Sequence, residues 1–482
     1  MELEKIFKKI NSLSKKTKTP AYTVGGFVRD QFLGQRKFKD VDFVIQGSGI
    51  EFAEKFDKLV KEQGRLITFP DFDTARYLFL DDQDQIVLEL EFAGARKEEY
   101  NEKSRKPKVE RASLEQDLSR RDFTVNAMAL PASHSMDKNF KKYVVDPFNG
   151  QKDLKGRILR TPLDPDETFS DDPLRMMRAV RFSAKLNFSI EPETLKAIYD
   201  NRSRIKIVSA ERIQEELFKI LACDEPSIAL NLMFQAHLLD LVLPEVAQLD
   251  GVEEIYGHQH KNNLVHTFKV VDNIAERSDK IILRLAGLLH DIGKFETKEF
   301  KSKIGWTFYQ HEHVGKKLVY KIARRLRLSK KDTDYLAKIV RWHQHPISLM
   351  DDGITDSAVR RLIVNLEDDL EDLLILGVSD ITTGNPYKLK KRQGNYDRLR
   401  QKIDEVMEKD QLRAFQSPVR GEEIMEVCKL KPGPTVGRIK KQIEEAILDG
   451  KIPNEYDGAK NYFEKIKDQY LKEAEEWELI LK

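Results

Sequence analysis

Asp40 and Asp42 stand two residues apart in Lys39-Asp40-Val41-Asp42-Phe43-Val44-Ile45. On a strand this spacing aims both carboxylates at one face. Two acids side by side are costly unless a cation neutralises them, the arrangement that binds Mg²⁺ for phosphoryl or nucleotidyl transfer. Glu91, in the later apolar run Ile86 to Phe92, offers a third carboxylate. Upstream, Gly25-Gly26 separates a β-like run, Ala21 to Val24, from a helical stretch, Phe27 to Leu33. Such a turn exposes backbone N–H groups where a phosphate can dock, although two glycines are more often a turn and nothing else. Asp172 and Arg175 are three apart and on a helix would share a face. A carboxylate accepts and a guanidinium donates, which suits the amine and ring nitrogen of cytosine or adenine and rejects uracil and guanine. The plain alternative is a surface ion pair.

A second group of reactive side chains lies further on. Of ten histidines, eight fall between His258 and His345. His290-Asp291 follows the apolar stretch Ile281 to Leu289, and His266, His311, His343 and Asp380 lie around it in sequence. A lone histidine on an apolar helix is ordinarily a core residue, but imidazoles and carboxylates together suit a transition metal. His258 and His260 read as linker residues, His134 and His237 as structural.

These residues need elements to hold them. Residues 1–150 alternate short β-like runs with helical stretches, and Tyr143 to Gly150 reads as a strand entering a turn. From Asp171 onward the spacing is mainly helical, including Leu174, Met177, Val180, Arg181 and Ala184. A boundary is expected near 245–262 and another near Gly384-Asn385-Pro386. The charge-rich stretch Lys97 to Arg111 is expected as a loop, and the last helix over Tyr462 to Leu481. The chain has 482 residues, enough for about three domains. Its 83 basic and 81 acidic residues net +2, so charge alone does not point to nucleic acid. Cys223 and Cys428 are too few for a disulfide framework or a cysteine-based zinc ribbon. The chain carries no apolar run of the roughly 18 residues a membrane helix needs. Met1-Glu2-Leu3-Glu4-Lys5 opens without the apolar segment of a secretory signal, so the expected compartment is the cytosol.

Taken together, Val24 to Asp30, Lys39 to Ile45, Glu91 to Arg96, Arg120 to Ala129, Asp146 to Gly150, Asp171 to Phe182 and Glu211 to Ile213 resemble, in order, the motifs of bacterial CCA-adding tRNA nucleotidyltransferases and poly(A) polymerases. The resemblance implies an α+β chain: a small mixed α/β nucleotidyltransferase head (DNA polymerase beta-like) at 1–150, a helical neck at 151–250, an HD domain at 251–385 and a helical tRNA-binding tail at 386–482. It also implies roles. Asp40 and Asp42 would hold two Mg²⁺ ions, with Glu91 a carboxylate near the attacking oxygen. Gly25, Gly26, Arg29 and Asp30 would serve the triphosphate, and Arg121, Asp122 and Asn126 the ribose or phosphate. Asp172, Arg175, Arg178 and Arg181 belong to the motif that meets the base. One departure stands out: the family usually has Glu where this chain has Asp171.

His290-Asp291 and Phe308 to Glu312 are similar to the HD family of metal-dependent phosphohydrolases. That likeness implies His266, His290, Asp291 and Asp380 as ligands of one divalent metal, with His311 and His343 for a second. His313 and His345 stay open as substitutes. Leu430 to Asn454 resembles the C-terminal portion of HD-bearing members, where Arg438, Lys440 and Lys441 form either an RNA contact or a solvated basic face. The implied partners are the tRNA acceptor arm, CTP and ATP. The rival readings are a poly(A) polymerase, an enzyme adding only A or only CC, a pure HD phosphohydrolase with a nucleotide-binding head, and a non-enzymatic RNA-binding scaffold.

Overall fold

The computed structural model describes residues 3–61, 63–101, 104–256, 258–259, 261–351, 354–410 and 417–480, with backbone alone for 97–101, 104–111, 258–259, 351 and 409–410. The chain divides into two compact units, Met1–Ala247 and Gln248–Lys482. Among the described residues, no helix is long and apolar enough to cross a membrane.

The first unit opens with a six-stranded sheet in the order β3-β4-β5-β2-β1-β8. The strands are β1 (Ala21–Val24), β2 (Asp40–Ile45), β3 (Arg65–Phe69), β4 (Thr74–Leu80), β5 (Ile86–Gly94) and β8 (Ala129–Pro131). Within this sheet β2 and β5 run parallel, and their register sets Asp40 beside Glu89 and Asp42 beside Glu91. Alternation explains the two faces. Val41, Phe43, Leu90 and Phe92 are buried. Helices Leu3–Thr17 and Gly49–Val60 supply Phe7, Phe52 and Phe56 against them, with Phe43 and Phe92 stacked at 5.1 Å. Ser48 caps the second helix by accepting from Glu51 N at 3.2 Å. Gly49 must be glycine here, because a Cβ would come within 2.6 Å of the Asp73 and Phe92 carbonyls. Phe92→Ala is expected to cost about 3–5 kcal/mol in urea unfolding of this unit; a loss under about 1 kcal/mol would contradict that packing.

The remaining α-helices of this unit with seven or more residues are Gly26–Phe32, Gly150–Gly156, Pro165–Asp171, Leu174–Leu186, Pro192–Asn201, Ala210–Leu221 and Pro226–Gln235. Two expectations are corrected. Lys97 to Arg111 is not a loop: β6 (Arg96–Asn101) and β7 (Ser104–Arg111) pair antiparallel. Residues 102 and 103 lie outside the described residues. Tyr143 to Gly150 is not a strand: Phe140–Tyr143 is a 3₁₀ turn, and Val145 makes one bridge to Ala129. Asp146 explains the break, accepting from Gly150 N and Gln151 N to start the next helix.

The second unit is almost wholly helical. Ile281–Leu289 is buried nearly all round, as a central helix must be. Asn263–Ala275, Lys330–Trp342 and Leu370–Ser379 pack on it, His311–Arg325 packs on Lys330–Trp342, and Asp356–Leu366 and Pro386–Asp410 pack on Leu370–Ser379. Further on, Gly421–Cys428, Pro434–Leu448 and Tyr456–Lys472 share an apolar core of Ile424, Ile439, Ile443 and Phe463. The last helix therefore starts and stops earlier than expected, ending before the 3₁₀ turn Glu476–Glu478. That turn is pinned by Glu478, whose carboxylate accepts from Thr435 N and Thr435 Oγ1, each at 2.8 Å.

Candidate functional sites

The first site is built on the acid face of the sheet. The β2–β5 register gathers Asp40, Asp42, Glu89 and Glu91 on one side. Burial, then the charges of Asp40 and Glu91, push Asp42 up to about 7. Asp40 is raised by burial and by Glu89 and Glu91. Such crowding calls for a cation, so the donor set fits a divalent metal. Arg76 on β4, which sequence reading did not single out, reaches Glu91 at 3.0 Å and Glu89 at 3.2 Å. Glu91 thus faces the pair while its carboxylate is tethered to a guanidinium.

Gly25 sits at φ +66°, the left-handed region that favours glycine. A Cβ there would lie 3.2 Å from Arg121 Nη1 and 3.3 Å from Asp42 Oδ2, so the turn threads between them. Gly25, Gly26, Arg29, Asp30, Asp40, Asp42, Arg121, Asp122, Asn126, Arg178 and Arg181 line one cavity of about 790 Å³. Its walls are a relay of hydrogen bonds. Arg29 donates to Asn126 Oδ1 at 2.7 Å and pairs with Asp30 at 2.7 Å. Asn126 donates to Asp122 Oδ1 at 2.9 Å, and Arg178 pairs with Asp122 Oδ2 at 2.6 Å. Burial would raise Asp122, but Arg178 and Asn126 hold it down at about 2. Asp117, also missed, is a buried carboxylate holding Arg120 at 2.8 Å and Arg121 at 3.3 Å. Arg121 Nε is buried with no hydrogen-bond partner among the described residues.

Asp172 and Arg175 need a correction. They do not share a helix: Asp172 is the extended C-cap of Pro165–Asp171, and Arg175 opens Leu174–Leu186. Pro173 is the reason, since it disfavours helical backbone at the residue before it. Both still line an adjoining cavity of about 300 Å³ with Asp42 and Glu91. Asp172 Oδ2 pairs with Arg212 at 2.7 Å, and Arg175 donates to the Arg120 carbonyl at 2.6 Å.

The second site is assembled from helix ends. His266 lies in the first turn of Asn263–Ala275, and His290 caps Ile281–Leu289 with Asp291 next to it. His311 starts one helix, while His343 and Asp380 end two others. Each imidazole is oriented from behind. Nδ1 of His290, His311 and His343 donates to the carbonyls of Gly287, Phe308 and Val340 at 2.7–2.8 Å. His266 Nδ1 faces Thr382 Oγ1 at 2.8 Å. Every Nε2 is thereby turned inward, as in a metal centre. His266, His290 and Asp380 form one donor group; Asp291, His311 and His343 form a second. Asp291 lies between them: Oδ2 is 3.2 Å from His290 Nε2, and Oδ1 is 3.4 Å from His311 Nε2.

The donor chemistry fits divalent metal. Nε2 of His311 and Nε2 of His343 approach to 3.2 Å with each Nδ1 already bonded to a carbonyl, a pairing that a cation between them would satisfy. Burial would lower His290, yet Asp291 and Asp380 push it up to about 10, a site hungry for positive charge. Asp380 is held well below the usual carboxylate range by His266 and His290 against its burial. Lys294 Nζ meets Asp291 Oδ2 at 2.5 Å. His313 and His345 stand outside both groups, beside Glu312 and tilted against Trp342. His134 stacks on Tyr143 and His237 pairs with Asp240. The side chain of His258, and His260, lie outside the described residues.

Three family models match successive segments of the chain. Residues 21–160 match the Poly A polymerase head domain, 187–249 the probable RNA and SrmB-binding site of polymerase A, and 262–399 the HD domain. A multifunctional CCA protein of Pseudomonas savastanoi pv. phaseolicola is 34% identical over 67% of this chain and 74% of its own. An A-adding tRNA nucleotidyltransferase of Deinococcus radiodurans is 31% identical over 70% and 76%. The fold is similar to that of the Bacillus stearothermophilus CCA-adding enzyme in complex with CTP, with a TM-score of 0.65 at 22% identity over 98% and 100% of the chains. It is also similar to a tRNA nucleotidyltransferase complexed with a primer tRNA and an ATP analogue, with a TM-score of 0.55 at 24% identity over 81% and 98%. With an acid-floored nucleotidyltransferase head and an HD donor set in one sequence, the chain belongs to the family of tRNA nucleotidyltransferases that includes the CCA proteins.

Proposed function

We propose that this enzyme adds C, C and A in turn to tRNA 3′ ends from CTP and ATP, with Mg²⁺ at Asp40 and Asp42. The observation that carries the reading is the common face of Asp40, Asp42 and Glu91 beneath an arginine-walled cavity. Two divalent ions bound there would lower the pKa of the attacking 3′-hydroxyl and neutralise the leaving pyrophosphate. Asp40 and Asp42 hold that charge in place. Glu91, tethered by Arg76, stands beside Asp42 as a fixed negative charge. Arg29, Arg121 and Arg178 receive the triphosphate, and Asp122 and Asn126 receive the ribose. Asp172 accepts from the exocyclic amine of C or A while Arg175 donates to the ring nitrogen. To do so Asp172 exchanges its bond to Arg212 for the base. Uracil and guanine would leave these groups unpaired, which is costly in a dry pocket. The tRNA acceptor arm is carried by basic side chains of the helical part, in a neck at 151–250 and a tail at 386–482.

The HD domain we assign as a phosphohydrolase acting on phosphate esters at RNA ends, with a divalent metal held by His266, His290, Asp291 and Asp380. His311 and His343 hold a second with Asp291.

The decisive assay presents tRNA lacking its last three nucleotides, Mg²⁺, and each nucleoside triphosphate singly and together. Ordered C, C, A addition that stops is the expected result. Addition of a lone A, a long A tail, or nothing would overturn it.

A further inference from the structure

Phe182 makes an arrangement that none of the assigned roles uses. Its ring is the common neighbour of three guanidiniums that line the nucleotide cavity. Arg181 lies 4.2 Å from the ring centroid, Arg29 5.2 Å and Arg178 5.4 Å. These arginines come from two helices, Gly26–Phe32 and Leu174–Leu186. Three like charges so close repel, and two devices offset that. Each guanidinium has its own acid: Asp30 for Arg29, Asp122 for Arg178, Glu216 for Arg181. The ring also presents its negative π face to cations. Phe182 is almost wholly buried, and its edge is fixed against Phe123 at 5.9 Å in a T-shaped contact. Phe123 directly precedes the 3₁₀ turn that carries Asn126, which bonds Arg29. One aromatic pair thus ties the ribose segment to the arginine cluster.

We propose that Phe182 is the positioning residue for the triphosphate: its ring is the shared seat that gathers Arg29, Arg178 and Arg181 around the nucleotide's phosphates. The proposal rests on the reading of this cavity as a nucleoside triphosphate site. It separates phosphate binding from base reading, which belongs to Asp172 and Arg175. A guanidinium stacked on a ring keeps its N–H donors at its edge, directed away from the ring. Because Asp30, Asn126, Asp122 and Glu216 already hold many of these donors, the cluster meets an anion chiefly through its gathered positive charge, without each side chain losing its rotamer freedom on binding.

The test uses the full-length enzyme with tRNA lacking CCA. Phe182→Leu keeps an apolar side chain of similar bulk and removes the π face. KM for CTP and for ATP should each rise about tenfold, with kcat within about twofold of wild type. Inhibition by inorganic tripolyphosphate should weaken by a similar factor, while inhibition by CMP, which lacks the triphosphate, stays unchanged. Phe182→Tyr should restore wild-type values. Trifluorophenylalanine at 182 retains the ring's outline and packing, so it covers the case where Phe182→Leu fails to fold; it should raise KM part of the way. Unchanged tripolyphosphate inhibition in the leucine and fluorinated variants overturns the proposal, as does a change in the C-over-U preference instead. An unaltered wild-type enzyme that incorporates no nucleotide at all sinks the underlying function and not the role of Phe182.

Discussion

Asp42→Asn is expected to lower nucleotidyl transfer by about 10³-fold or more, on the order of 4 kcal/mol, while making the metal-free fold more stable. Both effects have one origin. Asp42 is buried beside Asp40 and Glu91, which together push its carboxyl up to about 7. The unfolded chain has the ordinary carboxylate value near 4. Between about pH 4 and pH 7 the folded chain therefore holds a proton that the unfolded chain has released. Stability must fall as pH rises through that window, and level off above it. Asparagine carries no titrating proton in either state, so the variant should lose that slope. Divalent cations should restore stability to wild type above pH 7 and do little for the variant. Urea midpoints at pH 5 and pH 8, in chelator and in Mg²⁺, test this alongside single-turnover transfer. A wild-type slope surviving in Asp42→Asn would show that the acid floor is not its source, and transfer within tenfold of wild type would remove Asp42 from the metal site.

Much of this floor was legible from residue types, because period-two spacing alone puts Asp40 and Asp42 on one face. What was not legible depends on sheet order. Arg76 meets Glu91 only because β4 and β5 are neighbours, and no local pattern announces that pairing. Asp117 reads as one acid among many until Arg120 and Arg121 fold back onto it. Phe182 sat inside a quoted motif, yet its three arginines come together only when two helices pack. The misplaced pair was a different failure. Pro173 stands between Asp172 and Arg175, and the rule that a residue before proline leaves the helical region was available in the sequence. The Lys97 to Arg111 hairpin escaped because its residues are mostly polar on both faces, so apolar alternation gives no signal there. At the HD site the histidine crowding was visible, but the partners that aim the rings were backbone carbonyls and Thr382, which composition does not reveal.

Asp291→Asn is expected to empty both donor groups of the HD domain while leaving nucleotide addition to tRNA at the wild-type rate. The geometry makes this one residue different from the histidines around it. Its Oδ2 faces His290 at 3.2 Å and His266 at 3.7 Å, and its Oδ1 faces His311 at 3.4 Å and His343 at 3.7 Å. Losing the charge removes the anion both groups share, and an amide presents a neutral N–H₂ to one of them. His343→Ala should instead weaken only the group of Asp291, His311 and His343, leaving His266, His290 and Asp380 to retain one ion. Metal content by mass spectrometry after desalting should then step from wild type to His343→Ala to Asp291→Asn, with each lost group at least about tenfold weaker. The phosphohydrolase activity proposed for this domain should follow the same order. In the proposed mechanism the chemical step draws on residues of the first unit that line the two cavities there, so neither substitution should touch the kcat of transfer. Lys294 loses its 2.5 Å partner in Asp291→Asn, so thermal unfolding of each variant distinguishes an emptied site from an unfolded domain. Full metal retention in Asp291→Asn would rule out a shared carboxylate, and a matching fall in nucleotide addition would rule out two independent sites.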